Sequence, residues 1–144
     1  MKNFANILVS TAAFAIAAGL GVSQASAEPA VTITVANVET QTGQVMIALY
    51  SEANWDGPPV AATMVPADAG TVSAILAAPE AGRYGVKLYH DVDGDGEMDT
   101  NAFGIPTEPY GFSNDAEPRM GPPAFEDAAF VIGADGASQT INLR

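Results

Sequence analysis

Val31-Thr32-Ile33-Thr34-Val35-Ala36-Asn37-Val38 alternates apolar and polar residues with a period of two. Only an extended chain gathers every second side chain on one face, whereas a helix would scatter the same apolar set around its circumference. Gln44-Val45-Met46-Ile47-Ala48-Leu49-Tyr50 repeats the pattern less cleanly, and the link Glu39-Thr40-Gln41-Thr42-Gly43 reads as a hairpin turn. Val60–Val65 and Thr71–Leu76 are shorter β-prone runs joined by Pro66-Ala67-Asp68-Ala69-Gly70. The turn from Ala78 to Tyr84 delivers the chain into a strand over Arg83–His90, in which Tyr84, Val86, Leu88 and His90 share the core face and Arg83, Lys87 and Tyr89 the other. Phe125–Ile132 and Ala137–Leu143 flank Gly133-Ala134-Asp135-Gly136, where Asp-Gly signals a hairpin. About seven short strands at regular spacing, with no amphipathic helix beyond the N-terminal leader, predict an all-β fold: an immunoglobulin-like antiparallel β-sandwich with a long ordered loop before its last two strands.

The leader is Met1-Lys2-Asn3, an Ala-rich uncharged run from Phe4 to Val22, and Ser23-Gln24-Ala25-Ser26-Ala27. Its small residues and Ala-x-Ala ending mark residues 1–27 as a signal peptide, although the run approaches the ~20 residues that span a bilayer. Residues 28–144 then form a single domain, long enough for one core. The expected location is outside the cytoplasm, periplasmic or extracellular, with no membrane insertion after processing. All 17 acidic residues lie beyond Ala27, while removal of Lys2 leaves four basic residues and a net charge of −13. Such a surface repels nucleic acid and anionic lipid and attracts cations. There is no cysteine and only one histidine, which excludes disulfides, thiol chemistry, and Cys-rich or multi-histidine metal sites.

Two loops interrupt the strand pattern. Ser51–Pro59 carries the lone tryptophan, Trp55, placed either to cap the core or to line a groove. Thr100–Ala124 has neither periodicity; it is stiffened by Pro106, Pro109, Pro118, Pro122 and Pro123 and carries Phe103, Ile105, Tyr110 and Phe112. Structureless loops beyond about 12–15 residues are uncommon in compact domains, so an ordered flap is expected. Its rings either plug the end of the core or form a platform for an envelope glycan or protein partner.

Between the central strand and the flap lies His90-Asp91-Val92-Asp93-Gly94-Asp95-Gly96-Glu97-Met98-Asp99-Thr100-Asn101. Counted from Asp91, oxygen donors fall at positions one, three, five and nine, glycine at six, and Glu97 at seven offers a backbone carbonyl, as in the first part of an EF-hand loop. Position twelve is Ala102 instead of a bidentate glutamate, and no helix is expected on either side, so the reading is a calcium loop on a sandwich. Its ligands are Asp91, Asp93, Asp95, Glu97 and Asp99, with Asn101 and Glu108 as the candidates that complete the shell. An all-oxygen, highly charged set suits calcium better than zinc, copper or magnesium. The plainer alternative is a solvated acidic turn that keeps the surface soluble. No nucleophile motif occurs, and a lone histidine on a core face is usually a packed residue. The chain is therefore read as a non-enzymatic domain, with an envelope hydrolase using His90 and Glu108 as the alternative.

The run Tyr89–Asp95, then Asp99-Thr100-Asn101, Phe103-Gly104-Ile105-Pro106-Thr107-Glu108-Pro109-Tyr110-Gly111-Phe112-Ser113-Asn114 and Pro122-Pro123-Ala124-Phe125-Glu126-Asp127-Ala128 resembles the bacterial family catalogued as domain of unknown function 2141. The turn Pro79-Glu80-Ala81-Gly82-Arg83-Tyr84 fits it too. The resemblance implies an exported β-sandwich, marks the Asp loop and the flap as one unit, and carries no catalytic residue across.

Overall fold

The computed structural model describes residues 27–144; the expected leader falls almost wholly outside the described residues. Eight strands form in chain order: β1 Ala30–Val38, β2 Gln44–Ser51, β3 Ala61–Pro66, β4 Gly70–Ala77, β5 Gly82–Asp91, β6 Tyr110–Phe112, β7 Phe130–Ile132 and β8 Ala137–Asn142. They make two stacked sheets, β4-β1-β8 and β3-β2-β5-β6, and β7 extends the second by pairing with the start of β5. The first and last strands, β1 and β8, run parallel, and every other pairing is antiparallel. The protein is an all-β sandwich, and among the described residues no helix is long and apolar enough to cross a membrane.

Alternation builds the core as expected. Val31, Ile33 and Val35 of β1 meet Val45, Ile47 and Leu49 of β2 and Val86 and Leu88 of β5, all excluded from solvent. Full burial of each such side chain contributes about 1.5–3 kcal/mol. The inward face of β5 includes Tyr84 and His90, as its period requires.

Several connections differ from expectation. The Glu39–Gly43 link is not a hairpin: β1 and β2 belong to different sheets, and the chain crosses between layers, with Asn37 and Gly43 in left-handed conformations. Gly133–Gly136 is a tight turn, closed by the Gly136 amide on the Gly133 carbonyl at 2.9 Å, but it too crosses layers, since β7 joins β5 while β8 joins β1. Phe125–Ile132 is not one strand. Phe125 and Ala128 bury one face of a single helical turn, Phe125–Ala128, before β7 starts. The strand absent from expectation is β6, inside the flap; it lies along β5 with Phe112 opposite Lys87 and Tyr110 opposite Tyr89. A Cβ at Gly111 would stand 2.8 Å from the Ile141 side chain and 3.0 Å from the Asn142 carbonyl, so only glycine lets β6 lie this close to β8.

A second, smaller apolar cluster sits on the outer side of the five-stranded sheet. Trp55 packs there with Phe112, Ala116, Phe125 and Ala128. Its ring lies edge-on to Tyr50 and Phe125 at 5.8 and 5.6 Å, and its Nε1 donates to the Pro123 carbonyl at 2.9 Å. Opposite it is Gly85, where a Cβ would come within 2.7 Å of the indole. Trp55 is thus a plug that ties the flap to the sheet.

Candidate functional site

The acidic loop begins where β5 ends. Asp91 has 1% of its surface exposed, and its two oxygens accept from the amides of Gly94 and Gly96 at 2.8 and 3.0 Å. Both glycines have positive φ, 77° and 83°, the conformation a tight double turn requires and other residues resist. Asp93 accepts from the Asp95 amide at 3.2 Å and Asp95 from the Glu97 amide at 2.8 Å, so successive carboxylates fold back over their own turns. The Tyr89 hydroxyl donates to the Gly96 carbonyl at 3.0 Å and fixes the loop to the outer face of β5.

From Asp99 the chain runs out and back as a small hairpin. The Thr107 amide bonds the Asp99 carbonyl and the Asn101 amide the Ile105 carbonyl, both at 2.9 Å. Asn101 spends its side-chain oxygen on the amides of Phe103 and Ile105 at the tip. At the base stands Glu108, 8% exposed. One of its oxygens accepts from the Val92 amide at 2.8 Å and the other from the Asp99 amide at 3.2 Å. A single flap carboxylate therefore holds both ends of the acidic loop.

Two groups of carboxylates result: Asp91, Asp93 and Asp95, and Asp93, Asp99 and Glu108, with ligand oxygens within 4.8 Å of one another in each group. Two oxygens on one calcium ion stand no more than about 5 Å apart, twice a bond of 2.3–2.6 Å, so either group fits that ion. Asp93 belongs to both. Glu97 is exposed and lies outside both groups. Asp91 and Glu108 are buried with both oxygens held by amides and form the wall; Asp93 and Asp95, which hold one amide each, and Asp99, which holds none, are the exposed arms.

The carboxylates of this junction titrate differently according to their surroundings. Loss of water pushes the Asp91 carboxyl upward, but the amides of Gly96 and Gly94, with smaller help from Asp93 and Asp95, outweigh it and hold the group below the usual carboxylate range. Asp99 is raised, first by the charge of Asp93, then by loss of water, and further by Asp95, Glu108 and Asp91. It accepts no hydrogen bond on its carboxylate among the described residues, and the single ion pair there, Arg83–Glu126, lies elsewhere.

His90 faces the core with none of its surface exposed; its Nε2 lies 2.7 Å from the Thr42 carbonyl, and Nδ1 has no partner. Both Glu108 oxygens are engaged by amides, and His90 is enclosed by the core.

The flap residues read from sequence as plug or platform, Phe103, Ile105, Tyr110 and Phe112, line a groove beside this loop, whose sheet side sequence reasoning did not foresee. It lies between the outer face of the five-stranded sheet and the flap, with a volume of about 850 Å³, and Met46, Tyr89, Met98, Phe103 and Lys87 are among its lining residues. Phe103, at the hairpin tip, is 88% exposed. The signal for the groove was the imperfect alternation of β2, whose outward positions carry Met46, Ala48 and Tyr50 where a solvated face would carry polar residues.

Fold and loop together define an all-β sandwich with an acidic junction between a strand and an ordered flap. The model of a bacterial family described as an uncharacterized protein conserved in bacteria (DUF2141) matches residues 33–142, and the chain belongs to that family. No curated protein and no solved structure matches it.

Proposed function

We propose that the protein is an exported, non-enzymatic binding domain in which a calcium ion locks the flap to the end of the central strand. The observation that carries this reading is Glu108: it binds the amides of Val92 and Asp99 and lies with Asp93 and Asp99 in one group of carboxylates. An ion bound by the arms Asp93, Asp95 and Asp99 against the wall of Asp91 and Glu108 relieves their mutual repulsion and ties the hairpin down. Glu97 supplies a backbone carbonyl, and Asn101 acts by shaping the hairpin tip. The role of the ion is structural, and the surface it steadies is the flap.

Affinities of extracellular calcium modules are of order 10⁻⁴–10⁻³ M, so calcium at about 10 mM stabilises the folded state by about 1.4–2.7 kcal/mol. Adding it to chelator-treated protein raises the melting temperature by several degrees. Magnesium does much less. Asp93→Asn, which weakens both groups at once, removes the gain. An unchanged melting temperature at 10 mM calcium would overturn the reading.

A further inference from the structure

The two outer faces of this sandwich differ in a way that its fold does not require. On the three-stranded sheet the outward positions are mainly hydroxylated, with Thr34 paired to Ser73 and Thr140 and Thr32 paired to Ser138, the solvated face expected of a sandwich. On the five-stranded sheet the strand register instead sets Met64, Met46, Tyr89 and Tyr110 in one row across β3, β2, β5 and β6. The next row is Ala62, Ala48, Lys87 and Phe112. Two alanines between larger neighbours leave a trough in the sheet, and the flap roofs part of it through Met98 and the Phe103–Ile105 hairpin.

At one end of this apolar trough is a cation. The Lys87 ammonium lies 4.3 Å from the Trp55 ring centroid and 4.6 Å from that of Tyr50, and it donates to the Trp55 carbonyl. It has no carboxylate within ion-pair distance among the described residues. Burial lowers its pKa, and Asp56 partly opposes this. The ammonium is only partly buried and spends one of its three donors on a carbonyl, so it can still accept an anion from the groove.

We propose that the groove binds a free single-chain carboxylic acid, with the chain in the trough over Ala48 and Ala62 and the carboxylate at Lys87. A volume of about 850 Å³ falls within the range of small-molecule pockets. Methionines at 46 and 98 fit a flexible chain, because their unbranched thioethers adapt to its shape. One cation in an acidic protein suits a monoanion better than a phosphate dianion. A sugar would need a dense set of polar partners, and of the hydroxyls bordering the trough that of Tyr89 is already committed to Gly96. The proposal extends the reading of the flap as a binding wall, and it does not depend on which ion, if any, occupies the acidic loop.

The probe is dodecanoate, titrated into the purified protein and followed by calorimetry and by the emission of Trp55, which touches Lys87; dodecanol is the uncharged comparator. Saturable one-to-one binding of dodecanoate is expected. Lys87→Met should weaken it at least tenfold while leaving dodecanol unaffected, and Ala62→Phe, at an exposed position on an edge strand, should weaken both ligands without loss of fold. Absence of saturable binding, equal weakening of both ligands by Lys87→Met, or unchanged binding in Ala62→Phe would each overturn the proposal. So would sedimentation showing the groove occluded in a dimer. If Lys87→Met does not fold, Ala62→Phe decides the matter. Running each titration with calcium and with chelator separates the two readings: a calcium-dependent melting shift without dodecanoate binding removes the groove alone, and dodecanoate binding without that shift removes the ion alone.

Discussion

Glu108→Gln is the most informative single perturbation of this molecule, because it keeps the shape of the side chain while changing what its two oxygens can do. The carboxylate accepts from the Val92 and Asp99 amides; glutamine retains one acceptor and turns a donor toward the other amide. A hydrogen bond to a charged acceptor contributes about 1.5–3 kcal/mol, and one of the two is lost. Removing a negative charge some 5 Å from its neighbours returns part of this. At the screening of bulk water, which the exposed neighbours Asp93 and Asp99 approach, that gain is about 1 kcal/mol. The net loss without calcium is therefore about 0.5–2 kcal/mol, a fall in melting temperature of roughly 5 °C. With calcium present the repulsion is already neutralised, the compensation disappears, and the loss grows to about 1.5–3 kcal/mol. Urea unfolding measures the global effect. Amide hydrogen exchange locates it, with faster exchange expected at Val92 or Asp99 and little change in β1 and β2. Unaltered exchange at both amides would refute the argument that Glu108 holds the ends of the loop.

Three further outcomes follow from the packing. Gly43→Ala would place a Cβ 1.9 Å from the Asp91 carbonyl at a φ of +77°; it should destabilise the fold by at least about 3 kcal/mol in urea unfolding, through backbone strain and overpacking together. Trp55→Ala empties the second cluster and frees the Pro123 carbonyl, at a cost of about 3–5 kcal/mol by the same assay, and proteolysis should then cut first within the flap. Phe103→Ser, at the exposed hairpin tip, should leave the unfolding free energy from urea titration within about 0.5 kcal/mol of the parent; a larger loss would mean that the tip is packed, not presented.

The strands were legible in the sequence because alternation needs only one buried face. Which strand lies beside which was not, and β1 and β2 show why. Both turn an apolar face to the same core, and that holds equally for neighbours in one sheet and for strands opposed across two, so Glu39–Gly43 looked like a hairpin while it crosses between layers. β6 was hidden because its three residues lie among prolines and owe their extension to the free edge of β5. The acidic loop was legible from spacing alone. Its tie to Glu108 was named as a possible closure, but the form of that tie was not foreseeable, since the carboxylate reaches amides at both ends of the loop. The groove is assembled from positions as distant as Met46 and Phe103; its local traces were the flap rings, read as plug or platform, and the apolar residues where β2 should have been polar.

Diffraction from crystals grown with millimolar calcium would locate the ion itself. One anomalous peak is expected, bonded at about 2.3–2.6 Å to an oxygen of Asp93 and to at least two more among Asp91, Asp95, Asp99 and Glu108, with the Glu108 bonds to Val92 and Asp99 retained. A well-ordered loop in which these carboxylates diverge and no ion is bound at that concentration would contradict it.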